Sequence, residues 1–146
     1  MDRKATGTRG QETVKLKITG TQYPAGGGEP VTTVQETEAS FFRKGEACYW
    51  LYEEVIEGLA KPVRARIKHK GDVLELVRHS GNMVFDAKLP YRAEYRTPFG
   101  IMLLDIVTKS VERMDTADGY AEIKVCYLLE NEGQAVGEYE LYICGK

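Results

Sequence analysis

Ala121-Glu122-Ile123-Lys124-Val125-Cys126-Tyr127-Leu128-Leu129-Glu130 is the stretch on which the fold turns. Its odd positions, Ala121, Ile123, Val125, Tyr127 and Leu129, are apolar, and Glu122, Lys124 and Glu130 stand between them. Successive side chains of a strand point to opposite faces, so a period of two predicts a strand whose odd face lies in a core. A slip of one residue would bury the glutamates, which fixes the register.

The same pattern runs outward in both directions. Towards the C-terminus Tyr139, Leu141 and Ile143 face inward, with Glu138 and Glu140 outside. On the first strand Val14, Leu16 and Ile18 share a face against Lys15 and Lys17. In the middle Val63, Ala65, Ile67 and His69 oppose Arg64, Arg66, Lys68 and Lys70. Gly, Asp, Asn and Pro punctuate these segments, which predicts strands over 13–23, 31–43, 46–56, 63–70, 73–80, 83–88, 91–97, 101–113, 120–131 and 136–144. The segment 31–43 has no clean face. Every connection is short, so each strand is expected to pair with the one before it, and closure removes the free edges. The expected fold is all-β, a closed antiparallel up-and-down barrel of eight to ten strands. It occupies one domain over 13–146, behind a polar, aperiodic lead-in over 1–12 that is expected to be disordered.

Turn chemistry sharpens the register. A two-residue turn at Gly71-Asp72 sets Ile67 opposite Leu76 inside and Lys68 opposite Glu75 outside. A loop of Glu132-Gly133-Gln134 sets Val125 opposite Leu141 and Tyr127 opposite Tyr139. At Thr97–Gly100 parity requires an even loop and buries Met102, Leu104 and Ile106, although Pro98 and Gly100 favour a bulged odd one.

With 146 residues the chain can bury an ordinary core, and its net charge of -2 gives no field to gather phosphate backbones, so nucleic acid is not expected. No apolar run reaches the length of a membrane span, and residues 1–7 lack the apolar stretch of a secretory signal, which reads as cytoplasmic with no membrane partner. Cys48, Cys126 and Cys144, odd in number and without paired spacing, read as free thiols rather than a disulfide framework or zinc site.

Gly71-Asp72-Val73-Leu74 leading to Arg78-His79-Ser80-Gly81, then Tyr95-Arg96-Thr97-Pro98-Phe99-Gly100, then Thr108-Lys109-Ser110, and the strand around Tyr127 together resemble the YwiB-like family of uncharacterised bacterial proteins. The likeness covers most of residues 13–144 and rests on the order and spacing of these short motifs. It implies a calycin-type, lipocalin-like β-barrel core, related in shape to small-ligand carriers, and brings no activity with it. One more residue stands between Arg78 and Gly81 here than in the family's Arg-x-Gly pattern.

No catalytic constellation is visible, and the chain reads as non-enzymatic. Gly26-Gly27-Gly28 is followed by Glu29-Pro30 instead of the Lys and Ser/Thr of a phosphate loop. No helix follows Cys48 or Cys126 to activate a thiol. His69 and His79 have opposite parities and are not expected to share a metal, and no cofactor is implied. The basic stripe Arg64, Arg66, Lys68, Lys70 reads as a solvated face with cross-strand partners such as Glu75.

Two functions remain. The first is a small-molecule-binding barrel whose lumen holds a small, mostly apolar ligand, with or without an acid group, through Arg78, Tyr95, Thr97, Thr108, Tyr127 and His69. The second is a structural or protein-interaction module with a filled barrel, acting through its outer surface or as a homodimer; the chain is expected to be a monomer or a homodimer. Arg78, inward by the Gly71-Asp72 register and opposite Ala65, needs a partner for its charge. An internal carboxylate, with Glu53 the candidate if it faces inward, is preferred over the acid group of a ligand.

Overall fold

A computed structural model describes residues 11–145. The expected lead-in lies outside the described residues over 1–10, and its last residue, Glu12, already belongs to a strand. Ten strands follow in order: β1 (Glu12–Pro24), β2 (Val31–Lys44), β3 (Ala47–Glu54), β4 (Val63–Lys70), β5 (Val73–Val77), β6 (Met83–Asp86), β7 (Tyr91–Thr97), β8 (Gly100–Asp115), β9 (Ala121–Asn131) and β10 (Gln134–Gly145). All neighbouring pairs are antiparallel, and the sheet runs β6-β5-β4-β3-β2-β1-β10-β9-β8-β7. This is a nearly closed ten-stranded barrel.

The sheet is joined through its first and last strands, because Leu16 to Pro24 of β1 pair with Gly137 to Gly145 of β10. Pairing of each strand with its predecessor therefore holds everywhere except between β6 and β7, the two ends of the sheet. The reason is local. β6 has only four residues, and although it lies near β7 and β8 it forms no ladder with them, while the loop before it closes onto the β7 backbone. Gly81 makes that approach: it has a φ of 140°, and a Cβ there would stand 2.6 Å from the Glu94 carbonyl oxygen. We call this unpaired boundary the seam.

The inner face is the one the alternation predicts. Ala121, Ile123, Val125, Tyr127 and Leu129 are buried, as are Val14, Leu16, Leu141 and Ile143. Ile67 opposes Leu76, and Lys68 opposes Glu75, across the Gly71-Asp72 turn. Val125 opposes Leu141 and Tyr127 opposes Tyr139, as expected, but the loop between these strands is shorter than three residues. Glu132 and Gly133, both at positive φ (52° and 83°), form a two-residue turn, and a bulge between Ala135 and Gly137 restores the parity. At β7–β8 the even loop prevails, with Thr97 paired to Gly100 and Tyr95 to Met102. Leu104 and Ile106 are buried, but Met102 is 41 % exposed alongside Ile101 and Leu103. The hairpin tip runs past the last β8–β9 pair, Asp105 with Glu130, so nothing covers Met102.

The segment without a clean face has a similar cause. β2 pairs with β3 only from Ala39 onward, and before that it continues as a ribbon beside β1. Ala39 and Phe41 are core residues, whereas Val31 to Glu36 are exposed on both faces.

Candidate functional site

The barrel has two ends, set by which loops they carry. The mouth carries the β1–β2, β3–β4, β5–β6, β7–β8 and β9–β10 connections, and the closed end carries the others. Trp50, Phe41, Ile67 and Ile123 fill the lumen towards the closed end. There Arg113 donates from Nη1 to the Glu46 carbonyl (2.9 Å) and to His69 Nδ1 (3.2 Å), and from Nε to Asp115 Oδ1 (2.8 Å). Arg43 donates to the Gly119 and Tyr120 carbonyls and to the same carboxylate. Burial first, and then the Arg113 charge, hold the His69 pKa below its ordinary value, so the ring is a neutral acceptor at Nδ1.

The mouth is built differently. Thr108, Tyr127 and Tyr139 lie in a row across three strands, with Tyr127 and Tyr139 stacked at 5.2 Å and Phe85 tilted against Tyr127 at 4.7 Å. The Thr108 hydroxyl, inside a bulge that turns Lys109 outward, is buried without a partner. Tyr52 and Glu54 share the inner parity of β3 with Trp50, and the Tyr52 hydroxyl and Glu54 Oε1 are likewise buried and unpartnered. Arg78 follows the last residue of β5 and donates from Nη2 to Met83 Sδ (3.2 Å), while Tyr95 reaches the same sulfur at 3.5 Å. A thioether is a weak acceptor. Arg78 Nε is buried without a partner.

Charge and burial leave marks on these tyrosines. Burial pushes the Tyr52 hydroxyl up to about 12, reinforced by the Glu54 charge and opposed by Arg78. Tyr95 and Tyr127 are raised for the same first reason, again with Arg78 opposing. Three tyrosine hydroxyls on three strands, β3, β7 and β9, thus lie within the field of one guanidinium.

Of the residues expected from sequence to line a lumen site, Arg78, Tyr95, Thr108 and Tyr127 meet at the mouth. Thr97 does not join them, because its hydroxyl donates to Gly100 O (2.7 Å) and accepts from Phe99 N inside the hairpin turn. His69 belongs to the closed end, and His79 is exposed in the β5–β6 loop. Glu53 faces outward opposite Arg64, so it is not the inward carboxylate; its neighbour Glu54 is. No ion pair joins Arg78 to a carboxylate among the described residues. Tyr52, Glu54 and Met83 complete the cluster, and the parity of β3 with Trp50 is the signal that could have found the first two. Glu75 pairs with Arg66 (3.3 Å), one row from its backbone partner Lys68, which lies over the Tyr49 ring instead.

Three clefts flank this cluster, one of them, of about 320 Å³, beside Tyr127 and Tyr139 with Tyr23, Lys109 and Glu138. Where β2 and β3 part beyond Ala39 and Tyr52, a cleft of about 950 Å³ opens mainly on the outer side of the wall, with Leu51, Val55, Pro62 and Val77 set among Glu38, Glu53, Arg64 and Arg66, and with Tyr52 and Ala65 reaching it from the inner face. Across the seam a polar cleft of about 230 Å³ includes Arg78 itself.

Fold and site together define an antiparallel β-barrel with a packed closed end and a polar, incompletely satisfied mouth. The chain belongs to the family described as Domain of unknown function (DUF1934), which matches residues 10–143. Its fold is similar to the crystal structure of the ywiB protein from Bacillus subtilis, with a TM-score of 0.70 at 16% identity over 95% of this chain and 97% of that one. The resemblance to the YwiB-like family thus holds. No curated protein sequence matches the chain.

Proposed function

We propose that this protein is a non-enzymatic, cytoplasmic binding barrel for a small, mostly apolar molecule with an acid group. The acid meets Arg78, and the apolar body lies against Leu51, Val55, Pro62 and Val77 in the neighbouring cleft, which also carries Glu38, Glu53, Arg64 and Arg66. One observation carries the reading: a guanidinium among Tyr52, Tyr95 and Tyr127 whose Nε is buried without a partner and whose Nη2 has only a thioether. Leaving a buried donor unmade costs about 1–3 kcal/mol, more for a charged group, and a ligand carboxylate would recover it. The Tyr52 and Thr108 hydroxyls also lack partners and can donate to such a group, whereas the Glu54 carboxylate of the same cluster opposes it.

Native mass spectrometry of protein purified from its own host tests this. A retained acidic apolar molecule is expected, lost in Arg78→Met with the fold intact. A host-purified protein without added mass would overturn the reading.

The packed closed end favours a second reading, an interaction module whose barrel is filled by its own side chains, acting through its outer surface as a monomer or homodimer. Unliganded wild type whose partner or self-association is unchanged in Arg78→Met would support it.

A further inference from the structure

The seam cleft, about 230 Å³, brings together Arg78, His79, Asn82, Arg92, Glu94 and Arg96. It exists because β6 and β7 do not pair, and because Gly81 lets the 78–82 loop close onto the backbone of β7. Its charges are unequal in standing. Arg92 is locked on Asp105 by two bonds, Nε to Oδ1 at 2.8 Å and Nη2 to Oδ2 at 3.2 Å. Arg96 and His79 make no side-chain hydrogen bond or ion pair among the described residues, and Arg78 Nε is buried without a partner.

Of the three guanidiniums, Arg92 is neutralised by Asp105 from outside the cleft, and Glu94 within it offsets one more, so a single positive charge is left, which matches one negative charge and disfavours a dianion. The cleft is too small for a long apolar body. We infer that the seam is an oxyanion site for a singly charged carboxylate, held from the lumen side by Arg78 and from the outer side by Arg96. The inference rests on the binding-barrel reading for what the carboxylate is attached to, and on the seam alone for the charge. A ligand seated this way straddles the unpaired boundary, with its acid at the seam and its body towards the larger cleft.

Calorimetry with sodium decanoate and with 1-decanol, on wild type, Arg78→Met and Arg96→Gln, separates the two readings. Arg96 is exposed and unpaired, so Arg96→Gln is expected to fold, to bind decanoate about tenfold more weakly, and to bind decanol unchanged. Acetate is expected to shift the amide resonances of Gly81 and Asn82 saturably in wild type. Should Arg96→Gln hold decanoate as wild type does while Arg78→Met loses it, the seam site fails and the binding barrel stands. Should wild type ignore decanoate while acetate still shifts Gly81 and Asn82, the barrel reading fails and the seam site stands. If neither probe binds, both fail. Inorganic phosphate at pH 8 binding the seam more than tenfold tighter than acetate would overturn the singly charged class.

Discussion

The closed end and the mouth of this barrel both hold an arginine just inside the rim, and the two arginines are treated in opposite ways. Arg113 spends its donors on a carbonyl, an imidazole and a carboxylate, and Arg43 reinforces the same carboxylate. Arg78 has a thioether and an unpartnered Nε. Folding alone accounts for the first arrangement, because the bonds made there by Arg113 and Arg43 tie the loops of that end together. It does not account for the second. Buried polar groups are almost always satisfied in native structures, by the chain itself or by ordered water, so a cluster of exceptions marks a place where solvent or a bound molecule completes the bonding. The closed end is not perfect either, since Trp50 Nε1 is buried without a partner beside Gly145. That is a single atom, however, set among fully buried apolar groups.

Three measurements break or sharpen this contrast. The largest effect is expected at the packed end: Trp50→Ala should cost about 3–5 kcal/mol in denaturant unfolding, by lost burial and the cavity left behind. A cost under about 1 kcal/mol would mean that the closed end is not the stability centre. Next comes the pair of arginines. Arg113→Met should cost about 1–3 kcal/mol, since it strands His69 Nδ1 and the Glu46 carbonyl. Arg78→Met should fall within about 0.5 kcal/mol of wild type or stabilise the fold, because it removes an unmet donor. Equal costs at the two ends would make Arg78 structural and erase the difference.

The smallest effect is a pH dependence carried by the closed end. His69 has its folded pKa depressed below 6.5, chiefly by burial, so the unfolded chain takes up the proton first. Stability from this residue is whole above pH 6.5 and falls as the pH drops below it, by no more than about 1.4 kcal/mol per unit for one proton. Asp115, depressed by its bond to Arg113, acts in the same direction below its ordinary value of 3.8. In His69→Gln the slope just below pH 6.5 should vanish, and an unchanged slope would assign it elsewhere.

Alternation made most of this molecule legible, and its failures are instructive. The inner faces of β1, β4, β9 and β10 follow from a period of two, because each of these strands has one face on the core and one in water. The first half of β2 gave no face because it has none: Val31 and Val34, on opposite sides of the ribbon, are 55% and 54% exposed. Parity says which side of the sheet a residue occupies and nothing about its height along the barrel axis. His69 and Arg78 therefore read alike as inward groups, although one closes one end and the other stands at the opposite mouth. The seam was invisible for another reason. Strand periodicity carries no mark of which neighbours leave their ladder unmade, and a four-residue β6 looks like any other short strand.

The pairing of β1 with β10 also bears on how the barrel comes to be made. Hairpins such as β4–β5 and β9–β10 close over two-residue turns and form from local chain, but Leu16 meets Gly145 across almost the whole described sequence. Such a non-local ladder is entropically slow to close, and during synthesis β1 leaves the ribosome with one flank unpaired until the final strand emerges. For that interval β1 is an exposed edge. Its Lys15 and Lys17, which keep the outer face of that strand charged, are then the residues that guard it against pairing with another nascent chain.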